Sequence, residues 1–110
     1  MKLNELMSQL NWDHLTPSLD LEKDVEGVYC GDLLSWVMGN GLPNQVWITV
    51  QGHMNIIAVA GLREFSCIVI ADNAAVEEEV LQKAIEENIP IFASHLPVFE
   101  SAKLLIEKGI

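Results

Sequence analysis

Basic residues are scarce in this chain. Lys and Arg together number 6 against 16 Asp and Glu, for a formal net charge of -10. Contacts to phosphate need clustered cations, so nucleic acid is excluded as a partner and an anionic membrane surface is disfavoured on the same ground. Cysteine is scarcer still. Cys30 and Cys67 form no CxxC pair and no zinc spacing, which excludes a disulfide framework and a structural metal, and no cofactor is expected. Each stands in an apolar stretch and is expected to be a small core residue in a reducing compartment. No apolar run approaches membrane-spanning length. The opening Met1-Lys2-Leu3-Asn4-Glu5 lacks the unbroken apolar stretch of a signal peptide, so a cytoplasmic location is expected.

What the chain does have is apolar material. Half of its 110 residues are hydrophobic and the mean hydropathy is +0.26. A small domain has much surface for its volume and should not need so much. Either a sheet is buried on both faces, or part of the excess covers a subunit interface. Because the excess sits in helices that are apolar nearly all round, a homodimer is expected.

Leu3, Leu6, Met7 and Leu10 recur at i, i+3, i+4 and i+7, one face of a short helix that Thr16-Pro17 cannot extend. Residues 13–26 alternate acidic and apolar groups and predict an edge strand or an extended connector. From Gly27 a rhythm sets in. Val28-Tyr29-Cys30 predicts a strand, and Asp32 an N-cap for a helix through Met38 that Gly39-Asn40-Gly41 stops. Val46 to Val50 predicts the next strand, and a helix from about His53 to Glu64 follows with Met54, Ile57, Ala58, Gly61 and Leu62 as its core stripe. Cys67 to Ile70 is a continuous apolar run of the kind buried in parallel sheets. Asp72-Asn73 is placed to cap a helix from Ala74 to Asn88, with Val76, Val80, Leu81, Ala84 and Ile85 inward and Glu79 paired to Lys83. Pro90 to Ala93 predicts a fourth strand, and Pro97 opens a last helix that Gly109 ends. The fold class is therefore α/β, a mostly parallel four- to five-stranded sheet flanked by helices. The chain reads as a single domain: an N-terminal helix and connector over 1–26, then a repeated strand–helix core over 27–110.

In such sheets ligands gather beyond the strand C-termini, where helix N-termini offer free N–H groups. Four junctions qualify: Gly31-Asp32, Thr49 to Asn55, Ala71 to Asn73, and Ser94-His95. They nominate Asp32, Thr49, Gln51, Gly52, His53, Asn55, Asp72, Asn73, Ser94 and His95 as ligand-binding residues. Thr49 and Gln51 can make directional hydrogen bonds, and Gly52 lets backbone approach a ligand closely. The same turn read plainly is an ordinary strand-to-helix connection. No Gly-Lys-Ser/Thr follows, so it is not a P-loop. His53 and His95 could meet above the sheet if their strands are neighbours, and Asp32 or Asp72 could join them in acid–base work. The plain reading is a pair of solvent-facing loop histidines. Cys67 precedes its apolar run and should lie at the opposite end of its strand from them, inert through burial. A phospho-receiver layout would need an acidic pair after the first strand and a lysine after the last, and the chain has neither. Leu33, Trp36, Val37, Met38 and Ile56 are the expected interface residues, Trp and Met being types enriched there.

The stretch from Val25 to Ile110 resembles the DRTGG domain family, most closely its short stand-alone members in anaerobic bacteria. The resembling residues run from Glu26-Gly27-Val28-Tyr29 to Val37-Met38, from Trp47-Ile48-Thr49 to Val59-Ala60, and over Glu86-Glu87-Asn88-Ile89-Pro90-Ile91. The resemblance implies a fold similar to the N-terminal domain of HPr kinase/phosphorylase. It also implies a regulatory or oligomerising role, such as these domains have beside some phosphotransacetylases and CBS-containing pyrophosphatases. The name-giving Asp-Arg-Thr-Gly-Gly does not occur here. Gln51-Gly52-His53 stands roughly where a Gly-Asp-Arg turn would be expected and Ala71-Asp72-Asn73 where a Thr-Gly-Gly turn would be; if the family pattern binds an anion through its arginine, this chain lacks that group, and His53 could replace the charge only in part. The expected function is a non-catalytic regulatory or ligand-sensing module that self-associates and binds a small anionic or nucleotide ligand at the strand C-termini. A purely structural dimerisation or protein-interaction domain, and a small enzyme using His53 and His95, are the alternatives.

Overall fold

Strand-forming runs and helix-stopping residues alternate along the chain, and the computed structural model, which describes residues 1–110, follows that punctuation. In order it contains α1 (Leu3–Met7), β1 (Asp13–His14), β2 (Gly27–Cys30), α2 (Leu34–Asn40), β3 (Gln45–Thr49), α3 (Asn55–Arg63), β4 (Cys67–Ile70), α4 (Glu78–Glu86), β5 (Ile91–Ala93) and α5 (Val98–Glu107). The sheet has five strands in the order β1-β5-β4-β3-β2. β2 to β5 are parallel and β1 pairs antiparallel with β5. The α/β class with a mostly parallel, helix-flanked sheet is as the sequence predicts.

Successive side chains of a strand point to opposite faces, and both faces here are buried. Trp47, Ile68, Ile70 and Ile91 join Val37 of α2, Ile56, Val59 and Ala60 of α3, and Val80 and Ala84 of α4 in one core. Val46, Ile48, Cys67, Val69 and Phe92 join Leu3 and Leu6 of α1 and Leu105 of α5 in the other. The three crossover helices thus share one face, and α5 returns across the other. Much of the apolar excess is absorbed in this double core.

Several local expectations are corrected. Leu33, and not Asp32, is the N-cap of α2, and it makes no side-chain cap bond. α3 begins at Asn55 and not at His53, and α4 at Glu78 and not at Ala74. The α3 stripe is rotated from the expected one: Met54 and Ile57 do pack on the core, but Ile56, Val59 and Ala60 complete the buried face. Ile56, Ile57, Val59 and Ala60 are buried, whereas Ala58, Gly61 and Leu62 are exposed. Lys83 pairs forward, with Glu87 at 3.1 Å and Glu86 at 3.8 Å, and not back with Glu79. Ile85, placed inward by the sequence, is 38% exposed. Cys67 is buried but Cys30 is exposed, because β2 is an edge strand.

One histidine sits in the sheet. His14 stacks on Phe92 with ring centroids 4.6 Å apart, and its Nε2 is buried without a partner. Burial lowers its pKa below the ordinary 6.5. Protonation therefore favours the unfolded chain. Its cost is absent well above pH 6.5 and grows as the pH falls through that value toward the folded-state pKa. The melting temperature is expected to drop between neutral and mildly acidic pH, and His14→Phe, which keeps the stack, to flatten that drop. An equal slope in the variant would show that His14 is not the titrating group.

Candidate functional site

The C-terminal strand ends form two separate hydrogen-bonded knots. The first joins β2 to β3. Gly31 accepts from Trp47 Nε1 at 2.9 Å and donates to Ile48 O at 3.2 Å. Asp32 then reaches sideways. One carboxylate oxygen accepts from Thr49 Oγ1 at 2.7 Å and from the Val50 N–H at 2.8 Å, continuing the pairing of β2 and β3 beyond their last residues. Gln51 N–H donates to Thr49 Oγ1 at 3.2 Å, and its Nε2 to the Asp32 carbonyl at 3.3 Å. Thr49 is fully buried. Asp32 is therefore a clamp between strands and not a helix cap.

The second knot joins β4 to β5. Asp72 and Asn73 both take the left-handed conformation, at φ 63° and 56°. Asn and Asp tolerate it best among residues with a Cβ. So folded, they donate their N–H groups to Leu96 O (2.9 Å) and Ser94 O (3.3 Å) instead of capping α4. His95 Nδ1 donates to Asn73 Oδ1 at 2.7 Å. Ser94 Oγ lies 2.8 Å from Ser101 Oγ, and Leu96 N–H donates to Ser94 Oγ at 3.1 Å. Because α4 and α5 leave on opposite faces, the gap between the ends of β4 and β5 is the switch point where a parallel sheet would open a crevice. The chain's own hydrogen bonds bridge it.

β4 separates the strands that carry the other two histidines, so His53 and His95 stand in different knots. His53 Nδ1 accepts from the Asn55 N–H at 3.1 Å. Gly52 faces protein: a Cβ there would collide with the Ala75 carbonyl. The close approach that this glycine permits is to the backbone of Ala75 and Val76. No Lys or Arg stands in these junctions: Lys2, Lys23, Arg63, Lys83, Lys103 and Lys108 all lie outside them. No three His, Cys, Asp or Glu groups are placed to hold a metal ion. Burial pushes both thiols up in pKa, and the Asp32 charge adds to the effect on Cys30.

Of the expected interface residues, Leu33 and Trp36 are 67% and 66% exposed. Met38 is half-buried against the core, and Val37 and Ile56 are wholly buried in it, so these last two are core residues and form no surface. Two hollows escape sequence reasoning. One, of about 460 Å³, lies at the opposite end of the sheet among Lys23, Asn44, Glu64 and Asn88. The other, of about 610 Å³, lies between α3 and α4. At the rim of the first, Asn44, Glu64 and Asn88, each at a helix-to-strand corner, are all left-handed.

No family model matches the chain, and no curated protein matches it. A solved structure does. It is that of the CBS and DRTGG domains of the regulatory region of Clostridium perfringens pyrophosphatase, complexed with its activator, diadenosine tetraphosphate. The TM-score is 0.69 at 12% sequence identity, over 94% of this chain and 45% of that one. The fold is DRTGG-like. At that identity the likeness is one of fold, and the DRTGG-like chain spans less than half of the regulatory-region chain it matches. No helix of the DRTGG-like domain is long and apolar enough to cross a membrane.

Proposed function

We propose that this DRTGG-like domain is a non-catalytic regulatory module that acts by associating with a second copy of itself. The observation that carries the reading is the surface around α2. Leu33 and Trp36 project from the start of that helix, about two-thirds exposed. The outer edge of β2, the strand that precedes α2, pairs with no other strand. A buried tryptophan contributes about 150–250 Å² of contact, and an unpaired strand edge invites a partner strand. Trp36→Glu is expected to convert a dimer to a monomer in sedimentation velocity, with the far-ultraviolet spectrum unchanged. A wild-type chain that stays monomeric at the highest attainable concentration would defeat the reading.

The fold likeness to a regulatory region that holds a nucleotide activator favours a second reading, a small ligand at the strand C-termini. Gln51, His53, Asp72 and His95 offer neutral or acidic hydrogen-bonding groups there, suited to a base or ribose. The phosphates would find no Lys or Arg in these loops, and their counter-charge would come from outside the domain. Diadenosine tetraphosphate and adenosine are the probes for a thermal-shift comparison, since a ligand at a hundred times its dissociation constant stabilises by about 2.7 kcal/mol. No shift with either would remove this reading and leave the first standing.

A further inference from the structure

We propose that the cleft between α3 and α4 is a docking groove for an amphipathic helical segment of a partner protein, apolar along one face and carrying Lys or Arg at one end. This site is distinct from the α2 surface and does not depend on it. The inference starts from α3, which has no charged residue from Asn55 through Leu62. One side of it, Ile56, Val59 and Ala60, is buried in the core. Its other side is apolar too and faces outward, with Leu62 65% exposed. A helix apolar on both sides normally has both sides covered.

The cleft of about 610 Å³ is walled by Met54, Ile57, Ala58, Gly61, Leu62 and Ile89. Its charged members, Lys83 and Glu87, neutralise each other at 3.1 Å. The small side chains of Ala58 and Gly61 leave room for another helix to approach closely, the usual seat of a helix-in-groove ligand.

Charge selects the occupant. The cleft runs on into the hollow at the strand N-termini, since Gly61, Glu87 and Ile89 line both. That hollow is acidic, with Glu22, Asp24, Glu64 and Glu87 around a single Lys23. Lys23 donates to the Asn88 carbonyl at 2.6 Å, Asp24 is held by Lys2 at 3.0 Å and Glu87 by Lys83 at 3.1 Å, which leaves Glu22 and Glu64 without an ion pair. An apolar trough that opens on uncompensated carboxylates fits a ligand with an apolar stripe and a basic end.

The probe is a fluorescein-labelled synthetic helix with Leu at i, i+3, i+4 and i+7 and Lys at one end, read by anisotropy. Its control has Glu in place of Lys. The basic peptide is expected to bind roughly ten-fold or more tighter than the acidic one. Gly61→Leu should weaken it by a similar factor. A Cβ at Gly61 meets only Ile89 Cδ1 at 3.8 Å, so the fold accepts the side chain, the groove is filled and the net charge is unchanged. Ala58→Gln, at an exposed position, is the second blocking variant and should act alike. Glu64→Gln should weaken the basic peptide alone. Undiminished binding to both blocked variants would mean general attraction to an acidic protein and would overturn the proposal. So would absence of binding, or equal affinity for the two peptides. If Gly61→Leu instead turns a dimer into a monomer, the occupant is a second copy and the proposal fails.

Discussion

Trp47→Ala is expected to lower the unfolding free energy by about 3–5 kcal/mol, a large share of what a small domain has. Trp47 is wholly buried in β3 and its ring packs on Phe65 with centroids 5.5 Å apart. Truncation would empty the middle of the core under α2 and α3. It would also strip the Gly31 carbonyl of its donor, at the point where β2 hands over to the Asp32 clamp. Urea unfolding followed by circular dichroism is the measurement. The midpoint should fall with little change in slope. Trp47→Phe restores most of the volume but not the N–H, and should fall between wild type and Ala. A loss below about 1 kcal/mol would mean that the site collapses and that this core is not closely packed there.

Gly52→Ala is expected to destabilise the ligand-free domain by about 1–3 kcal/mol, because the added methyl meets the backbone of Ala75 and one loop must move. The expectation separates two uses of this glycine. Were it kept for a ligand alone, the ligand-free protein would melt as wild type does and only binding would suffer. Differential scanning calorimetry without ligand decides between them.

The repeated strand–helix core was legible because its signals are local. A β-branched run marks β4, Pro97 and Gly109 bracket α5, and Gly39-Asn40-Gly41 stops α2. The faces and partners were less legible, and the reasons are physical. α3 is apolar all round, so periodicity has little contrast with which to choose a side, and the expected stripe shares Met54 and Ile57 with the buried face but places Ala58, Gly61 and Leu62 inward where they are exposed. Asp32 has the chemistry of an N-cap, but the buried Thr49 hydroxyl across the sheet is a better use of its carboxylate. Asp72 and Asn73 have cap chemistry too, yet their left-handed backbone sends their N–H groups toward β5. Cys30 looked like core because strand order, which puts β2 at the edge, is not written in local pattern. For the same reason local pattern does not show that His53 and His95 are apart, with β4 between their strands.

The strand order has a kinetic side. From β2 to β5, each strand lies beside the one that follows it in the chain, with a single helix between. Such contacts close short loops, and the entropy lost in each closure is small. The antiparallel pairing of Asp13 with Ala93 joins nearly opposite ends of the chain, and α5 must cross back to β2 and β3. The parallel core can therefore zip from neighbour to neighbour. The strap of β1 and the return of α5 close the longest loops and are expected to form last, and until α5 docks the face that it shares with α1 is left partly to water.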